Sequence, residues 1–173
     1  MAQIPEVYQL KVTLTDSEPE VWRRVLVPAQ ISLAELHAVV QAAMDWDNQH
    51  EYRFRLGMAG EPLCKLNGGL SEAVAALGDQ PLYYTYDFKS GWLHRIEVEA
   101  AAEAAEDLPV CLAGAAACPP ENTGGVWGFD ELMARLEDTD DPEYLDLLDK
   151  YGDFDLEAFD LAAANDRLRL ALR

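Results

Sequence analysis

The soft donors of this 173-residue chain are three cysteines and three histidines: Cys64, Cys111, Cys118, His37, His50 and His94. Cys111 and Cys118 stand seven positions apart, in a segment that runs on through Pro119, Pro120, Glu121 and the Gly124-Gly125 pair to Trp127. Thiolates converging with the imidazoles of His50 and His94 would suit zinc, or a thiol hydrolase chemistry. The spacing is not the Cys-x-x-Cys of a zinc knuckle, and no close histidine pair accompanies it. A four-ligand site would have to be gathered from distant segments. Small buried thiols anchoring a loop are the plainer reading. No metal and no cofactor are expected.

His94 alternates with Trp92 and Ile96. It is either a general base held in a pocket or a core histidine with a partner such as Asp87. Glu121 and Asp87 offer a carboxylate pair, a weak signal among 32 acidic residues. Gly124 and Gly125 present backbone N–H groups without a Walker loop or dinucleotide fingerprint around them. Trp46, Trp92 and Trp127 either line a groove or anchor a core. The candidate ligand site is therefore Trp46, His50, Asp87, Trp92, His94, Cys111, Cys118, Glu121, Gly124, Gly125 and Trp127, with no catalytic role assigned. Arg23, Arg53, Arg55 and Arg95 read as outward residues of strands, a basic stripe where an anion or nucleic acid would bind if anywhere. Salt bridging to Glu51, Glu97 and Glu99 is the simpler role for them.

Period-two alternation supplies the elements that must position these groups. VYQLKVTL (7–14) and VWRRVLV (21–27) predict a hairpin, with Pro28 ending it. Ser32 and Glu35 form a capping-box pattern before Leu33, Leu36, Val40 and Met44 at helical spacing. EYRFRL (51–56), residues 82–88 and residues 92–99 alternate again, and a short strand near Pro62-Leu63-Cys64 is possible on composition. Residues 71–77 read as a turn or two of helix. Ala100 to Pro109 reads as a helical turn or a linker, and Cys111 to Gly128 as one long loop. That loop is expected against the 84–99 hairpin, with Trp127 near Trp92 and His94. Helices follow: 129–136, then one opened by Asp141-Pro142, a segment capped by Asp155 with a Phe154–Phe159 staple, and a last helix that Asp160 would cap. The sum is an α+β fold, an antiparallel-rich sheet of about five strands packed with a helix. One domain spans 1–173, with a sheet-forming core in 1–100 and a loop and helical part in 111–173.

Net charge is −19, unevenly spread: residues 1–100 carry 14 acidic and 8 basic side chains, and residues 101–173 carry 18 and 5. The acidic C-terminal part would repel phosphate backbones, so nucleic acid is not an expected partner there. No apolar run spans a bilayer and no leader pattern opens the chain, so a cytoplasmic location is expected. An odd cysteine number argues against a disulfide framework.

Five stretches carry a family resemblance: VYQLKVTLTDSEPEVWRRVLVP (7–28), LAELHAVVQAAMDWDNQHEYRF (33–54), YTYDFKSGWLHRIEVE (84–99), CLAGAAACPPENTGGVWGFDEL (111–132) and YGDFDLEAFDLAAANDRL (151–168). In this order they resemble the plasmid pRiA ORF-three-like family, whose members include passenger proteins of insertion sequences. The resemblance implies an α+β fold and an uncharacterised binding or interaction domain, accessory to a plasmid or mobile element, with an unknown protein or small-molecule partner. The alternative is a metal-dependent or thiol hydrolase-like enzyme centred on His94, Cys111 and Cys118. Two departures stand out. Lys89-Ser90-Gly91 replaces a Gly-Asp type turn, and Thr123 stands where many relatives place a third cysteine before the Gly-Gly.

Overall fold

A computed structural model describes residues 6–58, 69–102 and 107–173. The expected strand near Cys64 lies outside these residues. The hairpin of β1 (Val7–Leu14) and β2 (Trp22–Pro28) is followed by α1 (Leu33–Met44), β3 (Tyr52–Leu56), α2 (Leu70–Leu77), β4 (Leu82–Tyr86) and β5 (Trp92–Ala102). Then come β6 (Val110–Ala115), α3 (Gly125–Arg135), α4 (Tyr144–Tyr151) and α5 (Leu161–Ala171). The sheet order is β3-β4-β5-β1-β2-β6, antiparallel at every pairing. No helix among the described residues is long and apolar enough to cross a membrane.

The alternation in the strands sets two faces. Leu10, Val12 and Leu14 of β1, Val25 and Val27 of β2, Tyr84 and Tyr86 of β4, and Trp92, His94 and Ile96 of β5 are buried. The α1 helix covers this face with Leu36, Val40 and Met44. Its start is held by the capping box: Glu35 N donates to Ser32 Oγ at 3.0 Å and Ser32 N to Glu35 Oε1 at 3.2 Å. A buried polar relay ties it to β4. Tyr84 Oη accepts from Gln41 Nε2 at 3.0 Å and lies 2.7 Å from His37 Nδ1, while His37 Nε2 meets Asn48 Oδ1 at 2.7 Å. The carbonyl oxygen of Asn48 makes Nε2 the donor, so Tyr84 donates to Nδ1. Burial lowers the His37 pKa against the Asn48 bond, consistent with the neutral ring.

The sheet has six strands where about five are expected. The extra one, β6, lies at the start of the segment read as loop. It carries small side chains, and its pairing shifts register as Arg24 faces Ala113 and Val25 faces Cys111, leaving Leu112 as the bulged residue. The bulge turns Leu112 outward and breaks the alternation that marks a strand in sequence. Gly114 is needed there, because a Cβ would lie 2.8 Å from the Phe159 ring. As an edge strand, β6 is covered by α5. Cys111 N donates to Asn165 Oδ1 at 2.7 Å and Asn165 Nδ2 donates back to Cys111 O at 3.0 Å, so one side-chain amide takes the place of a neighbouring strand.

The helix boundaries expected in the C-terminal part are corrected at several points: α3 begins at Gly125, inside the segment read as loop, and not at Phe129. Asp141 stands ahead of α4, which begins at Tyr144: its Oδ1 accepts from Glu143 N at 2.8 Å in the turn before the helix, while Arg135 holds the same carboxylate at 2.8 and 3.1 Å. Residues after Asp155 form a turn, with Glu157 N on Asp155 Oδ1, and no helix. Phe154 packs on Phe129 and Phe159 on Arg23, so the two do not staple to each other. Asp160 caps α5, accepting from Ala163 N at 3.0 Å. The 100–109 segment begins as strand, with Ala102 opposite Val7.

Candidate functional site

Beyond β6 the chain turns at Ala116, whose φ is 68°, and runs across the end of the sheet facing the 45–50 loop. Side chains fix it there at several points. Trp46 Nε1 donates to Pro119 O at 2.9 Å, Tyr86 Oη donates to Glu121 Oε1, and Asn122 Nδ2 donates to Gln49 Oε1 at 3.2 Å. His50 Nε2 lies 2.8 Å from Asn122 Oδ1 and therefore donates to it. Burial, reinforced by Glu121, raises the Tyr86 pKa, so the phenol keeps the proton it gives to the carboxylate.

The 111–128 segment also meets the β4–β5 hairpin. Gly125, at φ 78°, approaches so closely that a Cβ would lie 2.2 Å from Ser90 O. The hairpin turn is organised by Asp87, which accepts from Lys89 N at 3.2 Å, from Ser90 N at 3.4 Å and from Ser90 Oγ at 2.6 Å. Burial raises its pKa, but the Ser90 and Lys89 bonds and His50, 3.7 Å away, bring it below the ordinary value.

The expected partner of His94 is corrected by this geometry. Asp87 is committed to its own turn, and His94 donates from Nδ1 to Tyr84 O at 3.2 Å within the β4–β5 register. His94 is fully buried, and burial lowers its pKa to about 4. Its Nε2 and the Trp92 Nε1 have no hydrogen-bond partner among the described residues. Trp46 closes over both, with ring centroids 5.5 Å from Trp92 and 5.2 Å from His94. These three side chains are core. Trp127, by contrast, is 73% exposed on α3 and does not join them. Gly124 is the left-handed N-cap of α3. Cys111 is buried, with Sγ turned to Ala113 O at 3.3 Å.

Beside the strapped loop lies an open cleft of about 790 Å³. One wall is the end of α1 with the 45–49 loop, another is residues 117–122, and the third is 154–167. Of the residues predicted from sequence, Cys118 and Glu121 line it. Cys118 keeps partial exposure, yet packing around the thiol pushes its pKa up. Among the described residues no imidazole is hydrogen-bonded to either thiol, and no group of three His, Cys, Asp or Glu side chains is placed to hold a metal. Cys64 lies outside the described residues.

The cleft also contains Arg23, and this corrects the basic stripe. Arg23 is 3% exposed on the α1 face, not the outer one. In VWRRVLV it shares parity with Val21, Val25 and Val27, which is the signal that places it inward. Arg53, Arg55 and Arg95 do lie on the opposite face, as the register Arg55–Tyr83–Arg95 requires. Arg95 pairs with Glu97 on its own strand at 3.0 Å, and Arg53 sits over the Phe88 ring at 4.5 Å. Arg24, absent from the expected stripe, holds Glu99 through two bonds of 2.7 and 3.0 Å.

The profile of the plasmid pRiA4b ORF-3-like proteins matches residues 6–163. The chain belongs to the plasmid pRiA4b ORF-3-like family. The chain is similar to the uncharacterized protein y4hQ of Sinorhizobium fredii, 39% identical in an alignment of 173 positions that covers 94% of this chain and 88% of that one. A crystal structure of a protein of unknown function, MM3350 from Methanosarcina mazei Go1, superposes with a TM-score of 0.79 at 31% identity, covering 92% of this chain and 98% of its own. The α+β sheet and helices described above are thus shared with that solved structure.

Proposed function

We propose that this pRiA4b ORF-3-like chain is one domain serving as a non-catalytic binding module, accessory to a plasmid or mobile element, whose ligand enters the cleft beside the 117–122 loop. The observation that carries the reading is preorganisation. The loop is pinned through Trp46, Tyr86, His50 and Gln49, so the cleft wall is held by the protein's own hydrogen bonds. Binding then avoids the ordering cost of a mobile loop. Among the described residues, groups a hydrolase would use are engaged elsewhere: His94 is sealed in the core, the Ser90 hydroxyl donates to Asp87, and burial disfavours the thiolates of Cys111 and Cys118.

The test is a thermal-shift screen of small metabolites run beside ester, amide and phosphoester hydrolysis assays. Binding without turnover is expected. Turnover that co-purifies with the protein and disappears in Cys118→Ser or His94→Leu would overturn the reading.

A further inference from the structure

Arg23 lies on the floor of the cleft with its guanidinium fixed from three sides. Nε donates to Ala43 O at 3.0 Å, and Nη1 donates to Trp22 O at 2.8 Å and to Ala115 O at 3.0 Å. The Phe159 ring covers one face of the group at 4.3 Å. All these partners are neutral. Among the described residues no carboxylate stands within ion-pair distance of Arg23, and its Nη2 makes no hydrogen bond. Nη2 is not one of the unpartnered atoms sealed from solvent. As Arg23 lines the cleft, that edge opens into it.

A guanidinium stays charged, and burying a charge without a counterion is costly. Held rigid with one N–H edge free, the group is preorganised to meet an oxyanion in its plane.

The rest of the lining selects among anions. Arg167 is the second cation, anchored through Nε to Ala42 O at 2.7 Å and 3.5 Å from Asp45. Against these two cations the cleft presents Asp45, Asp47, Glu121 and the helix-capping Asp160. Asp45 and Asp47 are exposed at its mouth. A polyanion would gain Arg23 and meet this acidic surplus. A molecule carrying one carboxylate and one cationic group satisfies both ends.

We infer that the cleft takes an amino carboxylate, a free amino acid or a short zwitterionic peptide, with its carboxylate on the Nη2 edge of Arg23 and its ammonium toward Asp45 and Asp47. This deepens the binding-module reading and rests on it.

Calorimetric titration of the full chain tests the inference. The probes are L-amino acids, dipeptides, their amide and N-acetyl derivatives, succinate and inorganic phosphate. At least one zwitterion is expected to bind, with blocking of either end weakening it roughly tenfold or more. Arg23→Gln is expected to lose the carboxylate-dependent part. Asp45→Asn with Asp47→Asn is expected to weaken the zwitterion and not to weaken its anionic N-acetyl derivative. If Arg23→Gln fails to fold, the exposed aspartate pair and the blocked probes on the unaltered chain still decide. Succinate or phosphate binding as tightly as the zwitterions would overturn the inference, as would insensitivity to blocking or no binding by any probe. Cleft ligands of another class from the metabolite screen would reject this inference and keep the binding module. Turnover lost in Cys118→Ser would reject both.

Discussion

His94 and Arg23 are the two polar side chains whose burial most needs a physical account, and they differ in charge. His94 is neutral. Its folded pKa is about 4, against about 6.5 for an unperturbed histidine. Between those values the unfolded chain binds the proton and the folded chain does not. Stability is therefore complete above about pH 6.5 and falls as pH drops toward 4, by up to roughly 1.4 kcal/mol per pH unit. Chemical denaturation at several pH values should show a flatter decline in His94→Leu than in the unaltered chain. His37, whose pKa is also lowered, contributes equally to both. Identical slopes would mean that His94 is not buried as a neutral ring. Arg23, unlike His94, stays charged; three of its N–H groups satisfy backbone carbonyls, and the Nη2 edge is the one assigned to the cleft's ligand. His94 is legible in the sequence because it alternates with Trp92 and Ile96. Arg23 is legible only through its parity with Val21, Val25 and Val27, against which its charge points outward.

At the scale of elements, legibility followed how cleanly one face of each element is buried. The strands β1 to β5 alternate because the α1 face is dry and the opposite face is wet, and α1 announces itself through Ser32 and Glu35. Elements whose partners are other side chains were harder to read. The β6 strand hides behind the Leu112 bulge, and Asp141 closes a turn on Glu143 N ahead of α4 while Arg135 holds the same carboxylate. The docking of α5 depends on Asn165, an amide with no sequence signature of its own. Asn165→Ala would remove both bonds to Cys111 and leave its N–H and C=O without partners. A loss of about 1–3 kcal/mol in unfolding free energy is expected. A change under about 0.5 kcal/mol in urea unfolding would show that α5 does not secure the sheet edge through that residue.

For the whole molecule, fold and family were accessible from the ordered run of motifs, and the site was accessible only in part. Trp46, His50, Asp87 and Glu121 do gather at one end of the sheet, yet the first two act as straps and a lid on the core. The cleft itself is made by segments far apart in sequence: 44–49, 117–122 and 154–167. No local pattern joins Arg23 to Phe159 or Arg167 to Asp45; only the docking of the C-terminal helices on the sheet does. Such a site sits where the acidic C-terminal part meets the sheet-forming core, which accounts for its mixed charge. The most direct measurement of the account is backbone amide NMR during titration with the tightest-binding amino carboxylate. Shift changes centred on Asp45–Gln49, Ala117–Asn122 and Ala158–Arg167 are predicted, with the Arg23 Nε–H resonance moving in step. Changes centred on the outer sheet face, at Trp22, Tyr83 and Arg95, or the absence of any saturable change, would contradict it.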